Sequence, residues 1–268
     1  MISILTPVEM DQMRIVGRMS AELLNACVDQ VHPGVTTGEI DAFARNFIAQ
    51  QGDGTAQSAC LGYGGFPGAL CLSVNEELIH GIPGVRVLQR GDIVSLDVCE
   101  SYHGFVGDNT RTVIVGGVES VSADIRRLLR VTRQSLEAAV LALRPGVHLS
   151  DISHLVEKTV AEGGCTVVRE YTGHGVGHHL HEDPPVPNYG KAGKGPIVHE
   201  GMTLAIEPMV NLGQAAVRTL PDGWTVVSRD GLPTAHFEYT VAVLRDRAEI
   251  LTPWFEQDRW SDAWMTKT

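Results

Sequence analysis

The chain repeats itself. Residues 32–52, HPGVTTGEIDAFARNFIAQQG, align with residues 144–164, RPGVHLSDISHLVEKTVAEGG, with Pro-Gly-Val, Ile, Ala and Gly recurring in register. A second pair, LQRGDIVSLDV at 88–98 and VHEGMTLAIEP at 198–208, sets Asp97 on Glu207. A duplication at this spacing predicts two similar half-domains packed about a pseudo-twofold axis. Each half then brings one carboxylate to an equivalent place near that axis. The expected bounds are one domain over 1–268, with halves at about 4–116 and 120–250 and a short tail at 253–268.

Helices open each half. Thr6-Pro7-Val8-Glu9 is a capping box with proline at the first helical position, and predicts a helix to about Asp29. His32-Pro33-Gly34 stops it, and Thr36 to Glu39 forms a second box opening a helix to about Gln51. In the second half, helices are expected near 122–143 and 150–163. Strand-like runs rich in Val, Ile, Leu and Thr follow at 69–74, 93–100, 104–115, 203–211, 224–228 and 236–244. Helices and strands are grouped, which predicts an α+β fold with an antiparallel sheet covered by helices. The Gly- and Pro-rich stretch 183–196 reads as a surface loop.

Composition narrows the function classes. Net charge is −11 with no basic block, so the nucleic-acid footprint is missing. No run of about 18 apolar residues exists to span a membrane. The opening MISILTPVEMDQM lacks a basic region followed by an apolar one, so a cytoplasmic protein is expected. Its five cysteines are odd in number and form no CxxC, and they read as reduced, mostly apolar fillers.

The chemistry concentrates in five residues. Asp97 lies in the apolar run IVSLDV, and Asp108 follows Gly107 in a second run. A hairpin through Glu100-Ser101-Tyr102-His103 would bring both carboxylates together, where they repel unless a cation sits between them. His174 is flanked by glycines in TGHGVG, at the start of a segment with four histidines. His178 and His179 read as bystanders, and His181 as a substrate-facing acid or donor. Glu207 sits between Ile206 and Pro208, and Glu238 precedes the apolar YTVAVL. Buried glutamates are seldom unpaired. His80 ends another strand-like run. One imidazole and four carboxylates suit two ions of the Mn, Fe, Co or Zn type, which together activate water for hydrolysis.

These strings resemble the type I methionine aminopeptidases of peptidase family M24, which have the pita-bread fold. The resemblance covers about residues 4–252. It is carried by SACLGYGGFPGALCLSVNEELIHGIP, GDIVSLDV, GFVGDNTRT, EYTGHGVGHHLHEDP, GMTLAIEPMV and DGWTV. The family's internal twofold accounts for the repeat. The resemblance implies a metallopeptidase catalytic domain that removes the initiator methionine when the second residue is small, with metal-bound hydroxide attacking the first peptide bond. It implies Asp97, Asp108, His174, Glu207 and Glu238 as ligands of two divalent ions, with Asp108 and Glu238 bridging. Glu207 would also handle the water proton, His181 would stabilise the tetrahedral intermediate, and His80 would contact the scissile amide. Tyr63, Phe66, Cys71, Leu180 and Trp224 would line the methionine pocket, with Cys60 nearby. A monovalent-cation loop would involve Asn75 and carbonyls near Glu77 and Thr234. The expected partners are nascent chains with N-terminal methionine near the ribosome exit. No nucleic acid or membrane is implied, and a monomer is expected.

Three positions depart from the commonest family pattern. Phe66 stands where Tyr is frequent, Leu180 where Phe is frequent, and His236 where Gln is frequent. The 25 residues between His181 and Glu207 leave no room for the insertion of type II enzymes. Two alternatives remain: a proline-specific peptidase of the prolidase or aminopeptidase P kind, and a non-catalytic protein on the same fold. The tail 253–268, with three of the four tryptophans, is expected to pack on its own domain.

Overall fold

The computed structural model describes residues 2–254. Among them four α-helices appear where the sequence placed them: α1 Pro7–Val28, α2 Thr37–Ile48, α3 Ala123–Ala142 and α4 Leu149–Glu162. Both capping boxes close. Glu9 Oε2 accepts the Thr6 N–H at 2.8 Å, and Glu39 Oε2 accepts the Thr36 N–H at 2.7 Å. The helix α4 starts the same way, with the His148 N–H donating to Asp151 at 2.9 Å.

The repeated segments make the same backbone hydrogen bonds. Gly34 N donates to Leu88 O at 2.8 Å, and Gly146 N donates to Val198 O at 2.9 Å. The return bonds, Leu88 N to Val35 O and Val198 N to Val147 O, measure 2.8 and 2.9 Å. Isolated bridges pair Thr36 with Val87 and His148 with Ile197. Each segment carries its own apolar cluster. One gathers Leu23 and Leu24 of α1, Ile40 of α2, and Leu96 and Val113 of the sheet. The other gathers Leu128 and Leu136 of α3, Ile152 of α4, and Leu204 and Val241.

Two antiparallel sheets position the site. In the first, Ile93–Tyr102 pairs along its whole length with Phe105–Ile114, while Gln57–Ser58 and Cys71–Val74 pair with its other edge. In the second, the order is Ala248–Ile250, Tyr239–Val243, Thr203–Ile206, Gly173–Gly175 and Glu182–Val186. The sheets join through matching threonines. Thr112 Oγ1 accepts the His236 N–H and donates to His236 O. Thr240 Oγ1 does the same for both backbone groups of Asp108. The helix α1 lies against Phe105–Ile114, and Gly107 permits the approach: a Cβ there would stand 2.9 Å from Val16 O. This is the pita-bread arrangement of an α+β fold.

Some expected strands are shorter than their sequence runs. The run 203–211 breaks at Glu207-Pro208 into Thr203–Ile206 and Met209–Asn211, which belong to different sheets. Pro208 has no N–H to continue a ladder. The run 236–244 breaks likewise at Phe237-Glu238, between Thr234–His236 and Tyr239–Val243. Both glutamates therefore sit at strand breaks, where the chain passes from one sheet to the other. The stretch 183–196 is not wholly a loop: Glu182–Val186 pairs with Gly173–Gly175, with a register shift. Trp254 packs against Tyr239 with ring centroids 4.1 Å apart and planes tilted by 35°, and the rest of the expected tail contact, from residue 255 on, lies outside the described residues. Among the described residues, no helix is long and apolar enough to cross a membrane.

Candidate metal centre and its pocket

All thirteen residues singled out as ligands, catalytic groups or pocket walls line one cavity of about 170 Å³. The hairpin places Asp97 opposite Thr110 and Asp108 opposite Cys99. Side chains alternate along a strand, so Asp97, Cys99, Asp108 and Thr110 share one face. His174 stands in the second sheet opposite Ala205. Its Nε2 lies 3.7 Å from Asp108 Oδ2 and 3.3 Å from Glu207 Oε1. Glu238 Oε2 accepts the Thr110 hydroxyl at 2.9 Å.

The His174 tautomer follows from its other nitrogen. Nδ1 is 2.9 Å from Gly175 O, which can only accept, so Nδ1 carries the proton. Nε2 then presents a lone pair to the carboxylates, as a metal ligand requires. Burial lowers the pKa of His174 and keeps the ring neutral.

The carboxylates are held in an unfavourable place for charge. Burial pushes Asp97 and Glu207 each up to about 7. Burial, reinforced by the neighbouring carboxylates, drives Asp108 and Glu238 well above the usual range. Glu238 Oε1 is buried with no hydrogen-bond partner among the described residues. Four carboxylates in such a cavity cannot all ionise without positive charge between them. Candidate ligand atoms fall into two close groups, Asp97-Cys99-Asp108 and Asp108-His174-Glu238, which share Asp108. The donor set fits divalent cations.

Around this cluster the pocket takes shape. Phe66 meets Trp224 edge-on at 5.2 Å between centroids. Leu180, Cys60 and Cys71 are buried in the same wall. His181 Nδ1 is 2.7 Å from the Tyr63 hydroxyl, and its ring lies 4.3 Å from that of His174. His80 adopts a positive φ of 58° and presents its ring edge-on to Tyr171 and Trp224. Burial lowers its pKa. His178 stays outside, bonded to Gly104 O at 3.0 Å.

Sequence reasoning missed Ile79, Cys99, Tyr171 and Thr172 in the lining. It left His236 undecided. That ring is buried, with Nε2 3.4 Å from Glu207 Oε2, and burial lowers its pKa to about 4. Near Asn75, the carbonyls of Asn75 and Glu77 accept the Thr234 hydroxyl at 3.3 and 2.9 Å. The Asn75 side chain donates to Asp92 at 2.9 Å.

Comparison with known proteins agrees with this geometry. The chain is 47% identical to methionine aminopeptidase 1 of Bacillus subtilis, over 94% of this chain and 99% of that one. It is 42% identical to the methionine aminopeptidase of Escherichia coli strain K12, over 94% of each chain. The fold matches a crystal structure of methionine aminopeptidase from Rickettsia prowazekii with a TM-score of 0.90 and 38% identity, covering 94% of this chain and 100% of that one. A prolidase from Pyrococcus furiosus shares the fold at a TM-score of 0.75 and 21% identity, with 66% of its length covered. The model of metallopeptidase family M24 matches residues 11–245. A cluster built for divalent cations and a match over nearly the whole chain lead to one conclusion: the protein belongs to metallopeptidase family M24.

Proposed function

We infer that the protein is a methionyl aminopeptidase, removing N-terminal methionine from polypeptides whose second residue is small. The observation that carries this is the junction of two environments in one cavity. An apolar and aromatic wall of Phe66, Trp224, Leu180, Cys60 and Cys71 abuts the carboxylate–imidazole cluster. A flexible thioether suits such a wall, and its free amine and first carbonyl would then lie at the cluster.

In this reading Asp97, Asp108, His174, Glu207 and Glu238 hold the ions, and Asp108 is shared between the two ligand groups. Two divalent ions, when bound, supply the Lewis acidity that makes water a nucleophile near neutral pH and polarises the substrate carbonyl. The side chains do the rest. Glu207, between His174 and His236, takes a proton from the attacking water and returns it to the departing amine. The Tyr63 hydroxyl lies 2.7 Å from His181 Nδ1; with tyrosine as the donor of that bond, Nε2 carries the ring proton and is the donor for the developing oxyanion. His80, held by Tyr171 and Trp224, receives the scissile amide. Asn75, with the carbonyls near Glu77 and Thr234, would hold a monovalent cation. Nascent chains are the natural substrates.

The test is a peptide panel with the protein loaded with manganese or cobalt. Release of methionine from Met-Ala peptides but not from Met-Lys peptides is expected. Binding of metal without cleavage of any Met-small-residue peptide would reject the aminopeptidase reading, and cleavage of X-Pro bonds instead would select the prolidase reading.

A further inference from the structure

We propose that Cys99 is a sulfur ligand of the metal centre, joining Asp97 and Asp108; this rests on the reading of those two carboxylates as ligands. Cys99 is directly opposite Asp108 in the hairpin and two residues from Asp97 on the same strand, so the pleat turns all three toward the cavity. Its Sγ lies 3.2 Å from Asp108 Oδ1 and 3.9 Å from Asp97 Oδ1.

Those separations suit a shared ion. Sulfur at about 2.3 Å and oxygen at about 2.1 Å from one metal, at an angle of roughly 90–120°, stand about 3.1–3.8 Å apart. The three atoms therefore need little movement to meet one cation. In the metal-free chain the thiol keeps its proton and donates it to Asp108. On ligation the S–H bond breaks, the proton passes to solvent water, and a sulfur lone pair forms the bond to the ion. No atom changes oxidation state.

Proximity to both carboxylates singles out Cys99, since Cys71 too stands opposite a carboxylate, Asp97, in the sheet. Cys60 and Cys71 also line the cavity, yet neither joins a close group with the carboxylates. A thiolate added to an oxygen-rich set shifts preference toward zinc, iron or cobalt and away from manganese. The chain's own residues would thus bias its metal.

Cobalt(II) titration of the metal-free protein tests this, read by metal analysis and by absorption spectra. The expected result is visible ligand-field bands together with a thiolate-to-cobalt charge-transfer band in the near ultraviolet. Cys99→Ser should lose the charge-transfer band and keep the visible bands, whereas Cys60→Ser and Cys71→Ser should keep both. Cys99→Thr serves if the serine variant fails to fold by circular dichroism. Visible bands without a charge-transfer band in the unaltered protein would overturn the proposal, as would a band that survives removal of Cys99. In either case the carboxylate reading stands. Failure to bind cobalt at all would overturn both.

Discussion

Thr110 and Glu238 hold each other twice. The Thr110 hydroxyl donates to Glu238 Oε2 at 2.9 Å, and the Thr110 carbonyl accepts the Glu238 N–H at 2.9 Å. The pair fastens the carboxylate at a strand break to the hairpin that carries Asp97 and Asp108. One glutamate oxygen is thereby committed to protein, and Oε1 is left without a protein partner among the described residues. Thr110→Val keeps the shape and the backbone bond but removes the hydroxyl donor. Loss of such an orienting bond typically weakens metal affinity by about 10- to 100-fold. Calorimetric titration with manganese should show a drop of that size, with the circular dichroism spectrum unchanged. An unaltered affinity would mean that the hydroxyl does not orient the ligand.

Glu100 makes a different prediction, on the opposite face of the strand that carries Asp97. Its side chain is fully buried, and both carboxylate oxygens lack a hydrogen-bond partner among the described residues. Burial first, and then the charge of Glu22, pushes its pKa up to about 8. An acid raised in the folded state binds its proton more tightly there than in the unfolded chain. Between about pH 4.5 and 8 the folded state therefore holds more protons, and stability falls as pH rises. Each tenfold tightening of the proton's binding is worth about 1.4 kcal/mol, so the loss reaches a few kcal/mol. Glu100→Gln should flatten this decline. Urea unfolding of the metal-loaded protein at pH 5.5 and 8.5 measures it, and an equal slope in both proteins would refute it.

How far these features were legible depends on whether they are local. The repeat was visible because Pro-Gly-Val starts the same backbone hydrogen bonds in both copies, at Gly34–Leu88 and Gly146–Val198. The hairpin of Asp97 and Asp108 was visible because two apolar runs flank one short turn. Cys99 lies two residues past Asp97 on the same face, yet it was missed because the cysteines read as apolar fillers. The Tyr63–His181 bond had no such signal, since 118 residues separate its partners. The strand Glu182–Val186 was hidden by Pro184 and Pro185, which remove ladder donors and imitate a loop. The breaks at Glu207 and Glu238 are tertiary: each strand ends where it must leave one sheet for the other.

Asp108→Asn should separate stability from catalysis. In the metal-free protein Asp108 is a buried carboxylate crowded by Asp97 and Glu207. Burial and these neighbours hold its pKa well above the usual range, so folding near neutral pH costs the uptake of a proton; a neutral amide removes that cost, and the melting temperature of the metal-free variant should rise. The same change removes a charged donor shared by both ligand groups. Metal-induced stabilisation should shrink, and turnover should fall by roughly a thousandfold or more as the ions are lost or displaced. Differential scanning fluorimetry with and without manganese, beside a Met-Ala assay, reads both effects. A metal-free melting temperature that falls would contradict the cost assigned to burying Asp108, and near-normal turnover would contradict the ligand assignment.

The two oxygens of Glu207 face two imidazoles, and the pair is asymmetric. Oε1 is 3.3 Å from His174 Nε2, whose lone pair is committed to the cluster by the Nδ1 bond to Gly175. Oε2 is 3.4 Å from His236 Nε2, and neither ring nitrogen of His236 has a hydrogen-bond partner among the described residues. Its backbone is locked by the Thr112 hydroxyl, so the ring cannot move far from the glutamate. Small rotation would turn the contact into an N–H donation that steadies Glu207 as the proton carrier. His236→Gln retains a donor of similar reach and should keep turnover within about tenfold. His236→Leu removes it and should lower kcat by about 10- to 100-fold, with KM for a Met-Ala peptide little changed because the methionine wall is untouched. Steady-state kinetics on both variants decides the matter. Equal kcat values for the glutamine and leucine proteins would show that His236 only fills space.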